Sequence, residues 1–406
     1  MSRLRRGTSL WLHAKNIKPV RARALRGHHS ADLVIVGGGI TGCAVALQLA
    51  KAGARVMVID AARIGRGSTA ASTALLMQEP DADFGELAER FGVAGARAIW
   101  RMSRLAVRAL IRTLRRLPGA PQVESRPSIY FTRREEQVRD LKKELDARRR
   151  AGVGGEWLTQ GRLKRIAGLE AAGAILTRGN AQVDPYGACM ALARAAQRAG
   201  ARLHEHTRAR SIRQRDGGVE IDTGRARILA ERVVIATGYA TAEFRPLAGR
   251  FRLSDTYVVA TPPLDRAART AVGLRKVMLW DTERPYHYAR WTHDNRLLFG
   301  GHDQPHKRKT TPGMIGNRVS ALLTDLHDLL PATCGIDCEY AWEGLFATTP
   351  DGLPYIGTHR RYPRHLFALG YGGNGMTFGF LAAQIIARLI GGNARPEDAL
   401  FRFNRA

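Results

Sequence analysis

Two hydrophobic periods alternate along the chain, and each change of period marks an element. Asp32, Leu33, Val34, Ile35 and Val36 form a short apolar run rich in β-branched residues, which predicts a strand buried on both faces. Residues 43–51 are apolar and alanine-rich and predict a helix, which Gly53 ends; residues 55–59 predict a second buried strand. Residues 84–117 repeat Ala, Leu, Ile and Trp100 at helical spacing and predict a long amphipathic helix, while 133–150 predict a charged surface helix. A helix over 188–199 stops at Gly200. Short strands are expected over 202–206 and 209–213, a hairpin from 219–222 with 226–229, and a buried strand over 232–238. The stretch 251–302 is strand-rich, with runs at 257–260, 277–280, 286–291 and 297–300; a helix follows over 315–330. Near the end, a strand over 366–369 leads through a glycine loop into an apolar helix over 380–390.

Glycines sit where the periods change. Gly37, Gly39 and Gly42 stand between the first strand and the first helix, and Asp60 closes the second strand. G-x-G-x-x-G in that position is the mark of a dinucleotide site: Gly37 allows a tight turn, Gly39 admits a pyrophosphate, and Gly42 lets helix and strand pack closely. The helix N-terminus then offers unpaired N–H groups to the phosphates, and Asp60 can accept from ribose hydroxyls. Downstream, residues 63–73 are small and hydroxylic, suited to run under a long cofactor. The further strand and helix units of a complete nicotinamide-type domain are missing, which points to FAD. The second loop, from Gly370 to Gly379, repeats strand, glycines and helix N-terminus, a place where a reduced flavin's negative edge would be stabilised.

Together these segments resemble the FAD-dependent oxidoreductases of the D-amino-acid oxidase and glycine oxidase superfamily, over about residues 32–392. The pieces that carry the likeness are the 37–60 unit, the loop 67–75, Val183-Asp-Pro185 before a helix, 233–238, Trp342-Glu-Gly344, 349–357 and 370–379. The resemblance implies an α/β fold with an α+β insertion: a Rossmann-like FAD-binding domain from 31–80, 181–245 and 345–406, and a sheet-based substrate domain from 81–180 and 246–344. It implies cofactor contacts from Gly37, Gly39, Ile40, Thr41 and Gly42, and from Asp60, Ala61 and Arg63. Ser68, Thr69, Ser72 and Thr73 follow, then Ala209, Thr237 and Gly238, and finally Gly372, Gly373, Asn374, Gly375, Met376 and Thr377. The implied activity is oxidation of a C–N bond of a small amine or amino acid by hydride transfer to FAD, so no obligatory acid–base residue is expected.

For the substrate, Arg290 matches the place where glycine-oxidase-like members put a carboxylate-binding arginine, whose guanidinium fork pairs bidentately with a carboxylate. Tyr286 and Tyr288 would add a hydroxyl or a wall. Three positions depart from the family pattern. Phe346 stands where a second arginine is common; Gly344 stands where sarcosine-oxidase-like members carry the cysteine that tethers flavin, so FAD is expected to be non-covalent. Leu298 lies near the place of an oxygen-activating lysine, which leaves oxidase and dehydrogenase both open. The electron acceptor and the oligomeric state are not legible.

Charge changes the picture in one respect. The 64 Lys+Arg against 36 Asp+Glu give +28, almost all of the excess arginine and spread along the chain. One reading is a solvated arginine-rich surface; the other is a field that attracts a polyanion. The latter opens an alternative, the same fold acting on a modified tRNA base, as one relative in this superfamily does. A further alternative is a non-catalytic FAD-containing binding protein. Residues 1–30 hold eight Lys or Arg and no acid and are expected to be a basic extension before the first strand. Four cysteines make no disulfide framework, which suits a reducing compartment and a cytoplasmic protein. No run reaches the roughly 20 apolar residues of a membrane helix. His302, Asp303 and His306 read as a polar loop, not a metal site.

Overall fold

The computed structural model describes residues 5–13, 17–274, 276–307 and 314–405. Two sheets dominate. The first has eight strands, with Gly27–Val36 between Val56–Ile59 and Ala226–Gly238, all parallel, and Arg202–His204 extending one edge. Ala226–Gly238 shares its other side between two partners. Its first half pairs antiparallel with Gly218–Asp222, and its second half pairs parallel with Tyr362–Leu369. On one face Leu33 and Ile35 meet the helix Ile40–Lys51, which lies between Pro185–Arg198 and Gly375–Ile390; Val34 faces the other way, toward Met57, Phe244 and Phe367. Apolar side chains on both faces explain the unbroken run in the sequence.

The second sheet has nine strands, antiparallel except where Met278–Asp281 pairs parallel with Ser128–Thr132. Its alternation separates two faces. Ile129, Phe131, Leu279 and Ala289 point to a core shared with Leu322 and Leu326 of the helix Met314–Leu329. Tyr130, Met278, Trp280 and Tyr288 point to the opposite face, toward Met77 and the helix Glu135–Arg150. That second face lies over the candidate site.

Several expectations change. The predicted strands 226–229 and 232–238 are one element, Ala226–Gly238. Its first half alternates buried and exposed because one face is in solvent; its second half is buried throughout its apolar run, and the change of pattern suggested a break. The stretch 302–306, expected as a loop, is mostly strand: Leu297–Pro305 continues through it, with an irregular register near Tyr257. The helix over 84–116 runs as predicted but is interrupted at Gly92, whose φ is 71°.

The basic N-terminal segment is built in more firmly than its charge suggests. Arg5–Gly7 pairs with the edge strand Tyr340–Thr348, and Leu10 and Trp11 are buried. Ser9 donates to the Ala70 carbonyl at 2.5 Å and the Trp11 indole donates to the Ser72 carbonyl at 2.9 Å. The first long strand starts at Gly27, not at Asp32. Arg3 and Lys15 lie outside the described residues. Among the described residues no helix is long and apolar enough to cross a membrane.

Candidate active site

The first glycine loop is set by steric necessity. Gly37 has φ of +110°, and a Cβ there would lie 2.5 Å from the Ala236 carbonyl oxygen; a Cβ on Gly42 would lie 1.9 Å from the Gly37 oxygen. Only glycine lets these three chain segments approach. Asp60 does not wait free at the strand end. It accepts from the amides of Gly38 and Ala62, each at 2.7 Å. Thr69 accepts from the Ile40 amide at 3.0 Å, and the Cys43 amide reaches the Gly39 carbonyl. Of the first helical turn, this leaves the amides of Thr41 and Gly42 without an intrahelical acceptor, at the positive end of the helix dipole. That is the donor set a pyrophosphate needs, so the residues fit a dinucleotide.

Arg63 reaches Glu205 at 3.6 Å, and the same carboxylate accepts from the Ile64 amide at 2.9 Å, so Glu205 helps to hold the loop after the second strand. Ala61 is exposed and Ala209 and Thr237 are half-buried near the same strand ends. Beneath the loop Cys43 and Cys189 are buried with sulfurs 3.8 Å apart, both free thiols.

A cavity opens between the two sheets. Ser68, Ser72, Thr73, Gly238, Gly372, Gly373, Asn374 and Gly375, all proposed from the sequence, line it. The remaining cofactor candidates, from Gly37 to Arg63 with Thr69, Ala209, Thr237, Met376 and Thr377, lie outside its lining. The opposite wall carries Trp280, Tyr286 and Tyr288, with Thr256, Asp303 and Phe346. Trp280 stacks on Tyr130 at 3.9 Å between centroids, and Tyr286 stands edge-on to Trp280. The Tyr288 ring covers Gly300, where a Cβ would lie 2.3 Å from it, and its hydroxyl pairs with Thr256 at 3.1 Å. Burial raises both tyrosine pKa values, so the rings present neutral hydroxyls.

The second glycine loop is held by a segment the sequence did not single out. Asn374 donates to the Glu79 carbonyl at 2.6 Å, Thr377 donates to the Met77 carbonyl at 2.9 Å, and the Gly373 amide donates to Asp81 at 2.5 Å. Glu79 itself accepts from Ser128 and Asn180. A signal was present: Glu79, Asp81 and Asp83 alternate in a chain otherwise poor in acids.

Arg290 lies elsewhere than its expected role requires. It is on the strand Tyr288–Trp291 but does not line the cavity. Its guanidinium is buried and donates to the carbonyls of Thr73 at 2.5 Å, Val183 at 2.8 Å and Trp291 at 3.3 Å, with its face 5.1 Å from the Trp11 ring. Main-chain oxygens, not a ligand carboxylate, occupy its fork. The cavity lining contains no Arg, Lys, His or Cys among the described residues. Its carboxylates are Glu79, Asp81 and Asp303, and burial pushes Asp81 and Asp303 up to about 6.

The histidines flagged by sequence part company. His306 pairs with Asp255 at 2.8 Å, while His302 turns to Asp325 at 2.5 Å. His287 also meets Asp325, so His287, His302 and Asp325 form a compact group on the far side of the strand pair. It is joined through hydrogen bonds.

Two sheets flanked by helices, a glycine-rich helix N-terminus beside Asp60 and a second glycine loop that lines the cavity define a dinucleotide-dependent oxidoreductase. The family model described as FAD dependent oxidoreductase matches residues 32–389, and the chain belongs to that family. A glycine oxidase of Geobacillus kaustophilus is 30% identical over 89% of this chain and 93% of its own length. Gamma-glutamylputrescine oxidoreductase of Escherichia coli is 27% identical over 91% of this chain and 86% of its own. The crystal structure of glycine oxidase from Geobacillus kaustophilus superimposes with a TM-score of 0.80 over 93% of this chain and 99% of that one, at 27% identity. The α/β architecture and FAD as cofactor follow from family membership.

Proposed function

We propose that this protein oxidises the C–N bond of a small amine or amino acid with non-covalently held FAD. The observation that carries this reading is the cavity itself. Its one side is the hydroxylic loop Ser68–Thr73 with the second glycine loop; its other side is the aromatic wall of Trp280, Tyr286 and Tyr288. A flat cofactor on the first side and a small substrate against the second would share one space. Thr41 and Gly42 would hold the pyrophosphate, and Asp60, locking the loop, would border the ribose. No Cys or His lines the cavity among the described residues, which supports non-covalent attachment.

Bound FAD supplies a two-electron acceptor. A hydride from the carbon beside the substrate nitrogen would pass to that acceptor, while the nitrogen would give up a proton and the C–N bond would become C=N. Water then cleaves the imine to a carbonyl compound and an amine. The chain's own residues would bind and orient: Tyr286 and Tyr288 would confine the substrate, and Asp303, which lines the same cavity, would accept the released proton. Relatives named for glycine and for gamma-glutamylputrescine support a C–N substrate. The four cysteines are free thiols, which supports a reducing, cytoplasmic setting.

The test is product formation. FAD-loaded protein, an artificial electron acceptor and a panel of amines and amino acids should give a carbonyl product in equal amount to acceptor reduced. No product from any member of the panel, with FAD bound, would remove this reading.

A further inference from the structure

The charge of the cavity runs opposite to the charge of the chain. The whole sequence carries +28, yet no Arg, Lys or His lines the cavity among the described residues, and three carboxylates do. The cation best placed to enter it, Arg290, gives its donors to the main-chain oxygens of Thr73, Val183 and Trp291. Arg284, close enough to Asp81 to interact with it, is exposed and outside the lining. Across the cavity Phe346 adds an apolar surface. A substrate carboxylate entering this space would find no positive partner and three negative ones.

The three acids are not equivalent. Glu79 is committed to Ser128 and Asn180, and Asp81 to the Gly373 amide and Asn374. Asp303 is bonded through the Thr256 hydroxyl, while its Oδ1 is buried without a partner. A buried carboxylate oxygen in that condition costs free energy that a bound cation would recover. Tyr286 and Tyr288, both close enough to Asp303 to feel its charge, turn aromatic surface to the same space, and aromatic faces attract cations. His287 and His302 lie behind Asp303 and interact with its carboxylate, but each is paired to Asp325 and neither enters the cavity.

We propose that Asp303 is a specificity-determining residue and that the substrate is a net-cationic amine with no carboxylate beside its reacting carbon. This rests on the reading that the cavity oxidises a C–N bond and narrows it from amine or amino acid to amine. Asp303 receives the positive nitrogen, and Trp280, Tyr286 and Tyr288 enclose its alkyl part. Zwitterionic amino acids are disfavoured because the cavity offers their carboxylate nothing.

Dead-end ligands test binding separately from turnover. In FAD-loaded protein, tetramethylammonium should perturb the visible flavin spectrum with saturation, and acetate should not. In Asp303→Asn, which keeps the side-chain shape and a partner for Thr256, the tetramethylammonium dissociation constant should rise at least tenfold with the FAD spectrum otherwise unchanged. In Asp303→Glu, cation binding should be partly recovered. Saturable acetate binding, or an Asp303→Asn protein that binds the cation as tightly as wild type, would overturn the proposal. Anaerobic reduction separates this from the broader reading. Reduction by aliphatic monoamines and diamines but not by glycine, sarcosine or proline supports both. Reduction by the amino acids as fast as by the amines keeps C–N oxidation and overturns the cationic class. Reduction by dithionite alone overturns both.

Discussion

The molecule contains two strand–glycine–helix junctions, and they are held in different ways. The junction at Gly37–Gly42 is closed largely by its own neighbourhood: Asp60, Ala62 and Thr69 supply the bonds, all within about thirty residues of the glycines. The junction at Gly370–Gly375 is closed from about three hundred residues away, by Met77, Glu79 and Asp81. The first takes its hydrogen bonds from nearby residues, with Gly37 packed on Ala236, and presents a fixed donor set. The second exists only once the two ends of the chain have met, and the acids that pin it also line the cavity. Cofactor binding is therefore insulated from substrate choice at the first junction and linked to it at the second.

Variants can break this contrast. The largest effect is expected at Gly42→Ala, where the new Cβ would press on a main-chain oxygen that cannot move away. The protein should lose its bound FAD altogether, read as the flavin-to-protein absorbance ratio; full retention would mean that the loop is looser than described. Next comes Arg290→Ala, which strands the carbonyls of Thr73 and Val183 in the interior and removes the face packed on Trp11. A loss on the order of 2–4 kcal/mol is expected in denaturant unfolding. A substrate anchor would instead leave stability near wild type and raise only KM.

At the second junction Asn374→Ala removes the bond to the Glu79 carbonyl and should cost about 1–2 kcal/mol. FAD should remain bound with a shifted visible spectrum, the converse of Gly42→Ala. Equal loss of FAD from both variants would erase the distinction between the junctions.

The smallest effect has the opposite sign. Asp303 has its folded pKa raised to about 6 by burial, above its unfolded value near 3.9, so the native state holds its proton more tightly. Its charge therefore destabilises the fold progressively as pH rises from about 4 to about 6, and fully above that. Asp303→Asn should thus be more stable than wild type at pH 7, by on the order of 1–3 kcal/mol, with the gain vanishing below about pH 4. Asp81, which interacts with it and is itself pushed up to about 6 by burial, would broaden the midpoint without changing the sign. A pH-independent difference would place the effect in packing.

These differences also decide what could be seen in the sequence. Gly42 and Asp60 were legible because their constraints lie within the motif, Gly42 against the Gly37 oxygen and Asp60 against the Gly38 and Ala62 amides. Gly37, whose constraint comes from distant Ala236, was legible only through the motif's spacing. The segment Met77–Asp81 was not, because its partners Gly373, Asn374 and Thr377 are brought to it only by folding. Tyr286 and Tyr288 both line the cavity; the alternation of its strand puts Tyr288 on the same face as Trp280, while Tyr286 comes from the segment before that strand. Arg290 shows the limit of reasoning by position. Its place on the strand was read correctly, but nothing in the chain announced that Thr73 and Val183 would turn their carbonyls toward it. Trp11 was missed for a related cause, because the eight basic residues of 1–30 concealed a side chain that closes the back of the cofactor loop.

The central claim is that the cavity beside the second junction joins bound FAD to an amine. Anaerobic titration of the FAD-loaded protein with small amines, followed in the visible flavin bands, tests it most directly. Complete loss of the oxidised bands at one equivalent of substrate per flavin is the predicted result. Flavin that dithionite reduces, but that no amine or amino acid reduces, would contradict it.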